Sequence, residues 1–339
     1  MRIRGDVMDA WVVDGCGPID SGPIRHVERA VPQPGPGQVR VRVDCCGVCR
    51  TDLHLAEGDL PARRPGVVPG HEIVGYVDAV GAGADRFAPG DRIGVAWLGG
   101  TDRSCRFCRA GAENLCLSPT FTGWDVDGGF ADACVVDEAF AYRLPDGLDD
   151  EHAAPLLCAG IIGYRSLRAA AVPPGGALGI YGFGASAHLA AQLALAEGMR
   201  VHVLTRGEPN RNLARRLGVD SVGGEDAAPP EELDGAVLFA PAGDLVPVAL
   251  RALGRGATLA VAGIWLSDIP ALNYQDVLFQ ERRLRSVTAN TRADGEEFLR
   301  LAARHRLRVT TANYPMERAQ DALSDLAHGR YAGAAVLHS

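Results

Sequence analysis

Cysteine, histidine and carboxylate side chains stand at three places in this chain where they could hold a metal ion. Cys49, Arg50, Thr51, Asp52 and His54 fall within six residues, and His71 and Glu72 follow in Pro69-Gly70-His71-Glu72. A further thiol, Cys158, lies in Leu156-Leu157-Cys158-Ala159-Gly160. Two sulfurs and one imidazole from separate stretches are the donor set of an open zinc centre, with the fourth position left for water or substrate. Asp52 is close enough to orient His71 through its second ring nitrogen, and Glu72 could support the site or replace a ligand. Each residue alone has a plainer reading, a buried thiol or a satisfied core histidine; their joint setting favours the metal.

A second cluster is Asp102-x2-Cys105-x2-Cys108-x7-Cys116. Three thiols so close on one loop suit a structural zinc, which needs four ligands, and Asp102 continues the spacing as a carboxylate fourth. The alternatives are a surface Asp102 that leaves three thiols, or a disulfide between two of them. The third feature is Gly182-Phe183-Gly184-Ala185-Ser186-Ala187, between an apolar strand and a helix former. Such a turn lets backbone approach a pyrophosphate at a helix N-terminus. Where an acidic residue would grip an NAD ribose stand Thr205 and Arg206, a pair suited to the 2′-phosphate of NADP(H). The alternative for Arg206 is an ordinary solvated charge.

The elements that must carry these residues show in the pattern. The 339 residues allow two domains. In the first half Val39, Val41 and Val43 alternate with Arg40, Arg42 and Asp44, a half-buried strand leading into Cys49. Strands are also expected at 10–13, 73–80 and up to Trp97, among many Gly and Pro, with residues 1–9 a loose leader. From Ala159 strand and helix alternate: strands at 177–181, 201–205, 236–240, 257–262 and 284–288, with helices between. That is the signature of a doubly wound parallel sheet. Helices at 294–304 and 317–328 and an apolar run at 334–337 close the chain.

Composition narrows the function. Net charge is −8 with the charges interspersed, which gives no expectation of nucleic-acid or membrane partners. All 34 basic residues are Arg, which excludes a Schiff-base or phosphate-loop lysine. No signal peptide or membrane span is apparent, so a cytoplasmic protein is expected, whose nine Cys serve as ligands or buried thiols rather than disulfides.

Taken together, the Cys49 stretch, Gly-His71-Glu72, the 105–116 lobe, Cys158 and the Gly182 turn resemble the zinc-dependent alcohol dehydrogenases of the medium-chain dehydrogenase/reductase superfamily, over almost the whole chain. The resemblance implies an α/β protein with a GroES-like β-rich catalytic domain (1–158, completed by 290–339) and an inserted Rossmann NAD(P)-binding domain (159–289). It assigns Cys49, His71 and Cys158 to a catalytic zinc, with Asp52 and Glu72 around it. It gives Thr51 and His54 a proton relay, and places Arg50 at the cofactor pyrophosphate and Asn290 near the nicotinamide. Asp102 in the first position of the second cluster departs from the four Cys of most members. The expected reaction is hydride transfer between NADP(H), with NAD(H) as the second choice, and a primary alcohol/aldehyde pair. Trp97, Trp124 and Trp265 are candidate walls for a hydrophobic or aromatic substrate, with core packing as their plain alternative. A homodimer or homotetramer is expected. The rival readings are a reductase of conjugated C=C or C=N bonds, separable by product analysis on an enal, and a non-catalytic NADPH-binding protein, which would be expected to have lost a zinc ligand.

Overall fold

The computed structural model describes residues 5–339, and within them the chain divides into two compact units. One comprises the chain up to Cys158 together with 289–303 and 309–339; the other comprises 159–288 and 304–308.

The first unit begins with β1 (Val7–Val13), antiparallel to β2 (Ile24–Ala30). The expected loose leader is therefore corrected: Val7, Met8 and Asp9 are strand, and the Asp9 amide donates to Asp132 Oδ2 at 2.9 Å. The first four residues of that leader lie outside the described residues. Next come β3 (Gln38–Val48), α1 (Arg50–Glu57), β4 (Glu72–Val80), β5 (Arg92–Val95) and β6 (Leu98–Gly100). They are followed by α2 (Arg106–Arg109), β7 (Thr120–Phe121), β8 (Ala133–Asp137), β9 (Ala141–Arg143) and α3 (Asp150–Ala153).

β3 organises this unit. Val39, Val41 and Val43 are fully buried, as their period-2 spacing requires, and each contributes about 1.5–3 kcal/mol by burial. Irregular register against β4 after Arg40 and Val43 bends the strand, and its last four residues are buried on both faces. It pairs antiparallel with β4 and β8, and delivers Cys49 directly to the N-terminus of α1.

The second unit runs α4 (Ala159–Ala170), β10 (Ala177–Tyr181), α5 (Ala185–Ala196), β11 (Arg200–Leu204), α6 (Glu208–Arg216), β12 (Ser221–Gly223), β13 (Leu233–Leu238), α7 (Leu245–Ala252), β14 (Leu253–Val261), α8 (Tyr274–Val277) and β15 (Arg283–Ser286). Its six strands are all parallel in the order β12-β11-β10-β13-β14-β15. The order reverses beside β10, at the crevice where open α/β sheets take ligands. The chain returns through α9 (Arg292–His305), β16 (Thr311–Pro315), α10 (Ala319–Ala327) and β17 (Ala334–His338). β17 pairs with the end of β3, Val336 opposite Gly47, and completes the first unit's seven-stranded sheet.

Candidate metal centre and cofactor turn

α1 starts at Cys49, whose extended backbone makes it the cap, and Asp52 closes the first turn by accepting from the Cys49 amide at 2.9 Å. A carboxylate there suits the positive end of a helix. The other Asp52 oxygen accepts from Gly70 N at 2.9 Å and lies 3.3 Å from His71 Nδ1. Gly70, at φ 97°, has no room for a side chain: a Cβ would sit 2.5 Å from the Phe130 ring and 2.9 Å from Cys46 Sγ. Asp52 therefore fixes the Pro69–Gly70 turn, and with it the ring of His71.

The opposite edge of that imidazole faces the thiols. His71 Nε2 is 3.3 Å from Cys158 Sγ, which lies 3.8 Å from Cys49 Sγ, and the Cys49 thiol donates to Thr51 Oγ1 at 3.7 Å. Donor atoms of Cys49, His71, Glu72 and Cys158 all fall within 4.8 Å of one another. Glu72, read from the sequence as a supporting group or a replacement ligand, has its carboxylate inside the donor set. Room for it comes from Gly47, its partner across β3 and β4, where a Cβ would fall 1.9 Å from Glu72 Oε2. That oxygen is buried and has no hydrogen-bond partner.

The electrostatics follow from this crowding. The hydrogen bond with Cys158 and the neighbouring His71 hold the Cys49 thiol well below its ordinary range, and the same bond with Cys49 pushes Cys158 up. Burial opposes charging of His71, but the Asp52 carboxylate and the Cys49 contact outweigh it and raise the imidazole. Burial, then the charge of Cys49, pushes Glu72 well up. Two thiols, a carboxylate and an imidazole in one dry space, with an orphaned oxygen, form a site that a divalent cation would neutralise. The residues fit zinc.

Thr51 is buried. His54, in the same helix, is half-buried with Nδ1 3.0 Å from Asp59 Oδ2, and Arg50 is exposed. Trp97 packs edge-on to His71 at 4.9 Å between ring centroids and stacks on Phe121 at 4.9 Å and Trp124 at 5.9 Å. Arg63 caps the stack 3.7 Å above Trp124. Phe121 and Arg63 were not singled out from sequence: β7 is two residues long and no local period marks it. Trp265 belongs to the other unit and is exposed. Asn290 is buried, its amide donating to Tyr142 Oη and Thr291 O, both at 3.1 Å.

The second cluster also converges. Donor atoms of Asp102, Cys105, Cys108 and Cys116 lie within 4.8 Å of one another. Asp102 Oδ1 accepts from the amides of Cys105 (2.7 Å) and Ser104 (2.8 Å), which hold the carboxyl well below its usual range. Amides of Asp102 and Ser118 donate to Cys116 Sγ at 3.3 and 3.4 Å, aiming the sulfur inward. Partial burial pushes the Cys108 thiol up to about 12. This donor set too fits zinc, and all nine Cys are free thiols. Glu113 ties the lobe to α9 through Arg292, whose Nε donates at 2.9 Å.

In the second unit the glycine turn leaves β10 with Gly182 at φ 84°, where a Cβ would come 2.7 Å from Ala240 N. Gly184 caps α5, and a Cβ there would meet nothing within 4 Å, so the backbone lies open to a ligand. Ala185 and Ser186 form the first helical turn, and Ala187 is fully buried beneath it. Thr205 is buried with its hydroxyl turned onto Arg206 O at 3.3 Å; the Arg206 side chain is exposed.

Comparison with known proteins adds the following. Residues 35–146 match the alcohol dehydrogenase GroES-like domain. A probable alcohol dehydrogenase, AdhA, of Mycobacterium tuberculosis is 57% identical over 337 residues, covering 97% of each chain. The cinnamyl alcohol dehydrogenase SbCAD4 of Sorghum bicolor superposes with a TM-score of 0.88 at 28% identity, over 98% of this chain and 97% of its own. A putative zinc-binding dehydrogenase of Sinorhizobium meliloti bound to NADP gives a TM-score of 0.86 at 26% identity, over 98% and 99%.

Proposed function

The chain belongs to the alcohol dehydrogenases of the medium-chain dehydrogenase/reductase superfamily, and on that premise we propose that it is a zinc-dependent, NADP(H)-preferring alcohol dehydrogenase that interconverts hydrophobic or aromatic primary alcohols and their aldehydes. The carrying observation is the convergence of Cys49, His71, Glu72 and Cys158 within 4.8 Å, with Asp52 behind the imidazole. Cys49, His71 and Cys158 would hold the catalytic zinc, and Asp102, Cys105, Cys108 and Cys116 a structural one. When bound, zinc supplies a Lewis acid for the substrate oxygen.

The chain's own residues do the rest. Asp52 keeps His71 in register, and Glu72 adds a carboxylate to the donor set. Thr51 Oγ1, beside Cys49, takes the alcohol proton, and His54, nearer solvent, hands it outward. Trp97, Phe121 and Trp124 offer flat apolar faces for an aromatic substrate, and Trp265, exposed on the other unit, is a further candidate. Gly182, Gly184, Ala185, Ser186 and Ala187 would seat the dinucleotide pyrophosphate, with Arg50 and Asn290 as further cofactor contacts. The exposed Arg206 offers its fork to a 2′-phosphate; Thr205, turned onto its own backbone, offers less.

A homo-oligomer is supported by the sheet edge at β15, whose four residues are all exposed, and by the exposed large apolar side chains Trp265, Tyr274 and Phe279 of the same unit. The compartment that suits nine free thiols is the reducing cytoplasm. No helix among the described residues is long and apolar enough to cross a membrane.

The test is NADPH and NADH consumption on aliphatic and aromatic aldehydes, with zinc-stripped and zinc-restored protein. Turnover that vanishes and returns with zinc is expected. Arg206→Ala should raise KM for NADPH about 10–100-fold and leave NADH nearly unchanged. Thr51→Ala should lower kcat about 10²-fold or more with zinc retained. A saturated aldehyde as the product from an enal would replace this reading with C=C reduction.

A further inference from the structure

Thr51 and His54 stand three residues apart on α1, so their side chains are neighbours one turn along the helix. The helix ends at Gly58, whose φ of 93° suits a glycine, and the amides of Gly58 and Leu60 both donate to His54 O at 3.0 Å. This closure folds the chain back over the last turn and sets the Asp59 carboxylate against the His54 ring, with Oδ2 3.0 Å from Nδ1.

The pair leads outward: the His54 side chain is 15% exposed and that of Asp59 46%. An ion pair so open to water adds at most about 1 kcal/mol to stability; its larger effect is on where the ring stands and which nitrogen carries the proton. A carboxylate accepts hydrogen bonds and does not donate them. Neutral His54 therefore keeps its proton on Nδ1, toward Asp59, and presents a bare Nε2 to a proton arriving from Thr51. Without Asp59 the ring is free to turn and to carry its proton on Nε2, which blocks that transfer. The proton count closes: Nε2 gains one, the charged ring gives one to water, and Asp59 remains a carboxylate throughout.

We propose that Asp59 is a positioning residue of the proton relay, fixing the tautomer and the plane of His54 so that Nε2 takes the proton Thr51 passes on. This rests on the relay proposed above for Thr51 and His54.

Two readouts on the zinc-loaded protein separate the positioning role from the relay. Nitrogen NMR of isotope-labelled protein reads the His54 tautomer without turnover, the His54 signals being those lost in His54→Gln. An Nδ1–H ring is expected in the parent and in Asp59→Glu, and a mixed or Nε2–H ring in Asp59→Ala. In steady-state kinetics Asp59→Ala should lower kcat about 3–10-fold with KM for the aldehyde nearly unchanged, part of the ~10–100-fold loss expected for His54→Gln. Asp59→Glu should recover most of that kcat, which a merely structural loss would not. On the His54→Gln background Asp59→Ala should cost less than about twofold more, because nothing is left to position. An Nδ1–H ring that survives Asp59→Ala, a kcat unmoved by Asp59→Ala, or an equal loss on the His54→Gln background would overturn the positioning role and leave the relay standing. A His54→Gln enzyme with the parent's kcat would overturn the relay, and this inference with it.

Discussion

Replacing Asp52 by Asn separates the two duties this carboxylate performs. One oxygen accepts the Cys49 amide that starts α1; the other serves Gly70 N and faces His71 Nδ1. An amide has a single acceptor oxygen. Turned toward Gly70 and His71, where two donors converge, it leaves an NH₂ group against the Cys49 amide. The loss is one charge-assisted hydrogen bond, about 1.5–3 kcal/mol, plus part of a buried donor's desolvation, so a total near 2–4 kcal/mol is expected. At about 2.1 cal/mol/K of unfolding entropy per residue over 339 residues, that corresponds to a Tm lower by roughly 3–6 °C. Loss of the charge behind His71 should also weaken zinc about 10–100-fold. Calorimetry of the zinc-loaded and zinc-stripped protein, with competition against a chromogenic chelator, reads both effects. If zinc affinity stays within about twofold while Tm falls, Asp52 is only a helix cap. If neither moves, the account of this turn is wrong.

Other predictions follow from single contacts. Gly47→Ala puts a methyl on the Glu72 carboxylate, so about 1–3 kcal/mol of stability and much of the zinc affinity should be lost; an alanine variant with normal zinc content would show that Glu72 has space to spare. Glu113 is held below its usual range by Arg292, so its ionisation favours the folded state. That contribution is present above the ordinary Glu pKa and fades as pH falls through the lowered folded value. The Tm gap between the parent and Glu113→Gln should therefore be near its full size at pH 6–7 and shrink below pH 4; a gap independent of pH would remove the ion pair as its cause. Ser in place of Cys108 should release the lobe's zinc and leave the Cys49 centre loaded, as metal stoichiometry would show.

Sequence alone carried the features whose signals are local. The alternating valines of β3, the strand–turn–helix around Gly182 and the spacing from Asp102 to Cys116 are all set by neighbours in the chain, and the folded structure displays each of them. What was hidden depends on register between distant strands. Gly47 has meaning only because β3 sets it opposite Glu72, and nothing near either residue announces that pairing. The Trp97–Phe121–Trp124 stack joins the bend between β5 and β6, the two-residue β7 and a turn, none long enough to show a period. Thr205 was read by its type as a phosphate contact, whereas its hydroxyl is spent on the next carbonyl, a competition between side chain and backbone that composition does not reveal. The first strand was missed at Val7 because its partner, β2, begins beyond a proline- and glycine-rich turn.

β3 has one partner that arrives late. Gly47 and Val48, just before the first ligand, are bordered by Val336 and Ala335 of β17, almost at the other end of the chain. At about 5–20 residues per second, a ribosome needs roughly 15–60 s to travel from one to the other. Through that interval the nascent chain carries Cys49 and His71 beside a strand with an unfilled edge, exposed to stray pairing and to whichever soft metal the cell offers. Faithful loading is thus a matter of timing as well as of ligand geometry, and variants that slow the docking of β17 should emerge mismetallated before they emerge unstable.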